Sequence, residues 1–133
     1  MAPQRRLKVF FDGGCQPNPG RIEVAVVARG VAYFFDDLGS GTSTDAEWLA
    51  LRQALQLAQS IGEPAFDLIG DCENVINQAN GLSKCRGKAS MNHLAMFQQG
   101  ASLSPPTRVR WTPRTQNLAG IALARRRECS GLR

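Results

Sequence analysis

Residues 7–12 (LKVFFD) alternate apolar and other positions, with Leu7, Val9 and Phe11 on one side, and read as a strand. Residues 22–28 (IEVAVVA) and 31–36 (VAYFFD) are rich in β-forming side chains and are separated by Arg29-Gly30, the spacing of a tight hairpin. Residues 44–61 change period. Leu51, Leu55 and Ala58 recur at helical spacing, Trp48, Leu49, Leu57 and Ile61 widen the apolar face, and Gly62 and Pro64 stop the helix. A buried strand follows at 66–70 (FDLIG), then short helices at 73–80 and 90–100, the second with Ser90 as its cap. Pro105-Pro106 precedes a strand at 107–112 (TRVRWT), and a last helix covers about 116–128. The later strands are separated by helices, so they run parallel to the strand they join. The pattern predicts an α/β fold: a mixed sheet with helices on both faces.

The chain has 133 residues, 43% of them hydrophobic, which fits one domain over residues 1–133 with one core. No stretch approaches the roughly 20 apolar residues of a membrane span, and the MAPQRRLKVFFDGG start lacks a secretory core and cleavage site. A cytoplasmic monomer with no membrane partner is expected. Cys15, Cys72, Cys85 and Cys129 form no C-x-x-C pair and His93 is the only histidine, so reduced, buried or incidental thiols are expected rather than zinc. The charge is divided unevenly. Residues 1–83 hold six Lys/Arg against ten Asp/Glu, and residues 84–133 hold ten against one. An acidic half beside a basic half suits a polyanion held next to metal-binding carboxylates.

Three acids occupy converging positions. Asp12 is expected to end the first strand, Asp71 to end strand 66–70, and Glu47 to lie in the first turn of the long helix. Parallel neighbouring strands bring their C-terminal ends to one sheet edge. Three carboxylates there repel unless a cation joins them, and an all-oxygen set points to Mg²⁺ or Mn²⁺. Each acid alone also has a structural explanation. Asp12-Gly13 is a turn dipeptide, Thr44-Asp45-Ala46-Glu47 is a capping box, and Asp71 is placed to cap the next helix. Their convergence favours the metal site.

Four segments carry a resemblance: Val9-Phe10-Phe11-Asp12-Gly13-Gly14-Cys15-Gln16-Pro17-Asn18-Pro19-Gly20, Thr44-Asp45-Ala46-Glu47-Trp48-Leu49-Ala50-Leu51, Gly70-Asp71-Cys72-Glu73-Asn74-Val75-Ile76-Asn77-Gln78, and Val109-Arg110-Trp111-Thr112-Pro113-Arg114-Thr115-Gln116-Asn117-Leu118-Ala119. In this order they resemble the motifs of type 1 ribonucleases H over about residues 7–126. The resemblance implies the ribonuclease H-like fold, a five-stranded mixed sheet of order 3-2-1-4-5. It also implies Mg²⁺-dependent cleavage of the RNA strand in RNA·DNA hybrids. Asp12, Glu47 and Asp71 would be the catalytic metal ligands. Gly14, Cys15, Gln16 and Asn18 would approach the hybrid backbone and its 2′-hydroxyls. Thr42, Ser43 and Thr44, with Asn18, would position the DNA strand, and Arg114 and Asn117 would lie near the scissile phosphate.

The family's fourth acid stands three residues after the Asn of the last loop, where this chain has Gly120. A mid-helix glycine costs about 1 kcal/mol relative to alanine, so local stability does not account for it. A weaker metal site and slower turnover are expected. The alternative reading is a catalytically impaired ribonuclease H-like domain that binds nucleic acid, and a third is a DNA-processing nuclease of the wider superfamily. Glu128 is too far along the helix to compensate for Gly120, whereas Glu73 lies close to Asp71 in sequence. Lys84, Arg86 and Lys88 read as a remnant of a basic protrusion, so hybrid affinity is expected to be modest and salt-dependent. Arg125-Arg126-Arg127 read as a solvated helix end, His93 as structural, and Trp48 and Trp111 as core residues.

Overall fold

The computed structural model describes residues 6–131; Met1–Arg5, the start of the N-terminal stretch read above as lacking a leader, lie outside the described residues. Strands β1 (Leu7–Cys15), β2 (Gly20–Ala28) and β3 (Val31–Phe35) form an antiparallel meander. Arg29 and Gly30, both at positive φ, make the turn between β2 and β3, as a two-residue hairpin requires. A two-residue strand β4 (Ser40–Gly41) pairs with the start of β2 and leads into helix α1 (Ser43–Ile61). Then come β5 (Phe66–Gly70), α2 (Glu73–Ala79), α3 (Lys88–Ala101), β6 (Arg108–Trp111), a 3₁₀ turn at Arg114–Gln116 and α4 (Leu118–Gly131). The main sheet runs β3-β2-β1-β5-β6, with β5 parallel to β1 and β6 parallel to β5. Without the short β4 this is the expected order 3-2-1-4-5.

The two sheet faces follow from strand alternation. Leu7, Val9 and Phe11 of β1 are buried with Val24 and Val26 of β2 under Trp48, Leu51 and Leu55 of α1. Phe10, Ala25 and Val27 point the other way, against Ala119 and Leu123 of α4. No helix of the described residues is long and apolar enough to cross a membrane.

Four local expectations are corrected. First, β1 does not stop at Asp12 but continues to Cys15, because Gly13, Gly14 and Cys15 keep pairing with β2. What ends is the pairing with β5, at Phe10↔Ile69. Second, the capping box of α1 is Thr42 with Asp45: the Thr42 hydroxyl accepts from the Asp45 N–H at 3.1 Å, and Asp45 accepts from the Thr42 N–H at 3.0 Å. Glu47 is therefore released from capping. Third, Asp71 does not cap α2; Cys72 holds that position without a side-chain bond, and α3 likewise starts from Gly87 rather than Ser90. Fourth, Trp111 is 49% exposed on the edge strand, its indole N–H donating to the Asp71 carbonyl at 3.1 Å. Trp48 is fully buried as expected and stacks on His93, whose Nε2 lies 3.1 Å from Asp45 Oδ1.

Candidate metal centre and nucleic-acid interface

Asp12 and Asp71 each lie two residues beyond the last parallel pair, Phe10↔Ile69, so the register sets them side by side. Glu47 arrives from the opposite face of the sheet. It can do so because α1 crosses β1 at Gly13, where a Cβ would come within 2.2 Å of the Ala46 carbonyl oxygen. At this crossing the Gly13 N–H donates to Glu47 Oε1 at 2.9 Å. The three carboxylates each offer an oxygen, and these oxygens all lie within 4.8 Å of one another. Among the described residues no other cluster of three metal-ligating side chains is found.

The electrostatics of the cluster are those of a cation site. Burial pushes the Glu47 carboxyl well above its usual range, and the neighbouring Asp12 charge pushes it further. Burial also raises Asp12, with Asp71 adding to the rise, while the adjacent Glu47 carboxyl and the nearby Arg114 and Arg127 oppose it. Glu47 Oε2 is buried with no hydrogen-bond partner. A buried carboxylate oxygen without a donor is costly, and a hard divalent ion satisfies all three acids at once. The donor set therefore fits Mg²⁺ or Mn²⁺.

The last loop supports Asp71. Asn117 is fully buried; its amide donates to Asp71 Oδ2 at 2.9 Å and to the Phe11 carbonyl at 3.0 Å, and its Oδ1 accepts from the Ala119 N–H. The side chain that resembles a nucleic-acid contact is thus engaged in fixing a carboxylate. Arg114 is 86% exposed, with Nη2 at 3.9 Å from Asp71 Oδ1. In the first turn of α4, a Cβ on Gly120 would lie 3.6 Å from both Asp12 Oδ2 and Asp71 Oδ2. A side chain here would point at the cluster without overlap. Glu73 and Glu128 are exposed and take no part in the cluster.

The other expected contacts gather on one edge. Asn18 Oδ1 accepts from the Ser43 N–H at 3.1 Å, which joins the turn after β1 to the start of α1. Gln16, Asn18, Thr42 and Thr44 lie there, and the amides of Thr42, Ser43 and Asp45 at this helix start are already taken by side-chain oxygens. Cys15 is buried, its thiol directed to Asn18 Oδ1 and the Gly41 carbonyl.

Two arginines read as a solvated helix end are instead committed to ion pairs. Arg126 grips Asp36 at 2.6 and 3.0 Å and lies over Phe34, with its carbon 4.4 Å from the ring centre. Arg127 donates to Glu23 at 2.9 Å, and a Cβ on Gly14 would meet its Nη2 at 3.1 Å. Arg127 therefore backs the Gly14 segment beside Asp12. The sequence signal for this pairing is two acids, Glu23 on β2 and Asp36 just after β3.

Comparison with known proteins agrees with this architecture. Over 81 residues the chain is 36% identical to a ribonuclease HI of Halobacterium salinarum, a match covering 57% of this chain but only 41% of that protein's length. The crystal structure of RNase H1 from H. salinarum superposes with a TM-score of 0.81 at 25% identity, covering 90% of this chain and 94% of the other. The N-terminal RNase H domain of a Mycobacterium tuberculosis protein gives 0.77 at 22% identity over 90% and 95%. LC11-RNase H1 in complex with an RNA/DNA hybrid, from a protein isolated from compost, gives 0.73 at 20% over 85% and 89%. A family model described as reverse transcriptase-like matches residues 10–127, and the chain, with its ribonuclease H-like fold, belongs to that family.

Proposed function

We propose that this chain is a catalytically impaired ribonuclease H-like domain, which binds RNA·DNA hybrid at a divalent-ion site of three acids and cuts the RNA strand slowly. The observation that carries this reading is the three-carboxylate cluster with Gly120, rather than a fourth acid, aimed into it. The relative at 36% identity is a ribonuclease HI, and a fold relative binds an RNA/DNA hybrid.

In this reading Asp12, Glu47 and Asp71 hold Mg²⁺ or Mn²⁺. The chemistry such ions supply is activation of water and stabilisation of the leaving oxygen. The protein's own groups position and neutralise. Gly13 orients Glu47 and Asn117 orients Asp71, so the acids are preset before substrate arrives. Arg114, exposed beside Asp71, reaches toward a phosphate held there. Gly14, Cys15 and Gln16 offer backbone to the RNA strand, and Asn18 with Thr42, Ser43 and Thr44 receives the DNA strand at the start of α1. Position 120 contributes no ligand, which weakens one ion position and slows hydrolysis.

The test is cleavage of a labelled hybrid in Mg²⁺ and in Mn²⁺ by the natural chain, Gly120→Asp and Asp12→Asn. Slow cleavage by the natural chain, a gain of about tenfold or more in Gly120→Asp and loss in Asp12→Asn are expected, since one ligand is being restored or removed. Rapid cleavage unaffected by Gly120→Asp would refute the impairment. Cleavage of plain duplex DNA would favour the DNA-processing reading.

A further inference from the structure

Helix α4 covers only part of the sheet face on which it packs. Lys8, Phe10 and Asp12 of β1 share that face by alternation, and so do Val27 of β2, Asp67 of β5 and Arg108 and Arg110 of β6. Beside α4 the face opens into a cleft of about 1060 Å³, lined by Phe10 and Val27 of the sheet and Leu118 of α4. Its walls carry Arg6, Lys8, Arg29, Arg108 and Arg110, against the acids Asp67 and Glu63.

The acids arrange these cations rather than cancel them. Asp67 is 2% exposed and lies 3.5 Å from Nε of Arg6 on one side and 3.5 Å from Nε of Arg110 on the other. Both guanidinium groups thus approach it with Nε, and among the described residues no hydrogen bond uses their Nη groups. Arg29 is paired with Glu63 at 2.7 Å. Lys8 and Arg108 are exposed and make no ion pair among the described residues. The result is a basic rim over an apolar floor, the combination that holds phosphates above and base faces below. Only an unpaired strand exposes base faces to such a floor. The cleft lies toward the N-terminal end of β1, and Asp12 follows Lys8 by four residues on the same face, about 13 Å along an extended strand.

We propose that this cleft binds single-stranded nucleic acid, the unpaired strand running on from a hybrid seated at the three carboxylates. That continuation rests on the proposed function; binding of a free single strand does not.

The test is fluorescence anisotropy of short labelled oligo(dT) in EDTA, with the full chain, Lys8→Glu/Arg108→Glu, the milder Lys8→Gln/Arg108→Gln, and Asp12→Asn. The full chain and Asp12→Asn should bind alike, and the charge-reversed pair should bind at least about tenfold more weakly. The glutamine pair should lower the salt slope by about 1.4, because each phosphate contact on a single strand contributes about 0.7. No binding by the full chain, equal binding by both double variants, or an equal loss in Asp12→Asn overturns the proposal. A chain that shows the expected pattern yet neither binds nor cuts hybrid keeps the cleft and loses the proposed function. A chain that cuts hybrid but ignores oligo(dT) does the reverse.

Discussion

Glu47 takes the Gly13 N–H on Oε1 at 2.9 Å and leaves Oε2 buried without a donor. The first contact fixes the side chain, and the second leaves it unsatisfied. In the metal-free protein both Glu47 and Asp12 hold their protons above the ordinary values of 4.5 and 3.8. A carboxyl with a raised pKa in the folded state contributes stability at low pH that is lost as pH rises through the raised value.

The metal-free chain should therefore lose thermal stability as pH climbs from the ordinary carboxylate range past the raised pKa of Glu47. Mg²⁺ competes with those protons, so the rise in Tm that it produces should grow with pH. Glu47→Gln should remove most of this pH dependence and abolish the Mg²⁺ effect. Melting curves in EDTA and in Mg²⁺ at several pH values check both. A Tm response to Mg²⁺ that is flat with pH would separate the ion from these carboxylates.

Gly120 allows helix propensity to be separated from metal chemistry. A Cβ there meets Asp12 and Asp71 at ordinary contact distance. Gly120→Ala should raise stability by about 0.5–1 kcal/mol through helix propensity alone, while leaving Mg²⁺ affinity unchanged. Gly120→Asp should instead destabilise the metal-free chain, because a fourth carboxylate joins the cluster, and should tighten Mg²⁺ binding. Denaturant unfolding of the two variants with and without Mg²⁺ distinguishes them.

The three acids were legible because each sits at a place that periodicity locates: beside a strand end, or near the start of a strongly patterned helix. The α1 cap was not. The stretch Thr42-Ser43-Thr44-Asp45-Ala46-Glu47 contains two overlapping box patterns, and the choice between them is made by Gly13 and Asp12, which are remote in sequence. Strand β4 has only two residues and no period to detect; its pairing with Gly20 and Arg21 creates it. Arg126 and Arg127 look solvated until α4 is known to pack over β2, which bears Glu23, and the end of β3, which Asp36 follows. The basic cleft depends on how much of one sheet face that helix leaves uncovered, which local sequence does not encode.

Asn117 joins three backbone and side-chain partners while fully buried. Asn117→Ala should destabilise the chain by about 1–3 kcal/mol, the range for leaving buried polar groups without partners. It should also weaken Mg²⁺ binding by about tenfold, because Asp71 loses the donor that orients it. Urea unfolding and Mg²⁺ titration followed by calorimetry report the two effects separately. Unchanged Mg²⁺ affinity in the folded variant would show that Asp71 is held well enough by the sheet.

The Thr42–Asp45 box anchors the start of α1, two residues before Glu47 enters the cluster. The Asp45 carboxyl is held below its ordinary value of 3.8, first by the Thr42 backbone N–H and then by His93 and the Thr42 hydroxyl. A lowered pKa contributes stability that is present above the ordinary value and is lost as pH falls through the lowered one. This is opposite in sign to Glu47, so two acids near the start of α1 respond to acid in opposite directions. Thr42→Ala should cost about 1 kcal/mol at neutral pH. Asp45→Asn should cost most near neutral pH and least in acid, where Asp45 is itself protonated. Acid melting curves of the two variants check this, and a cost for Asp45→Asn that does not shrink as the pH falls would remove the carboxylate charge from the account of how α1 begins.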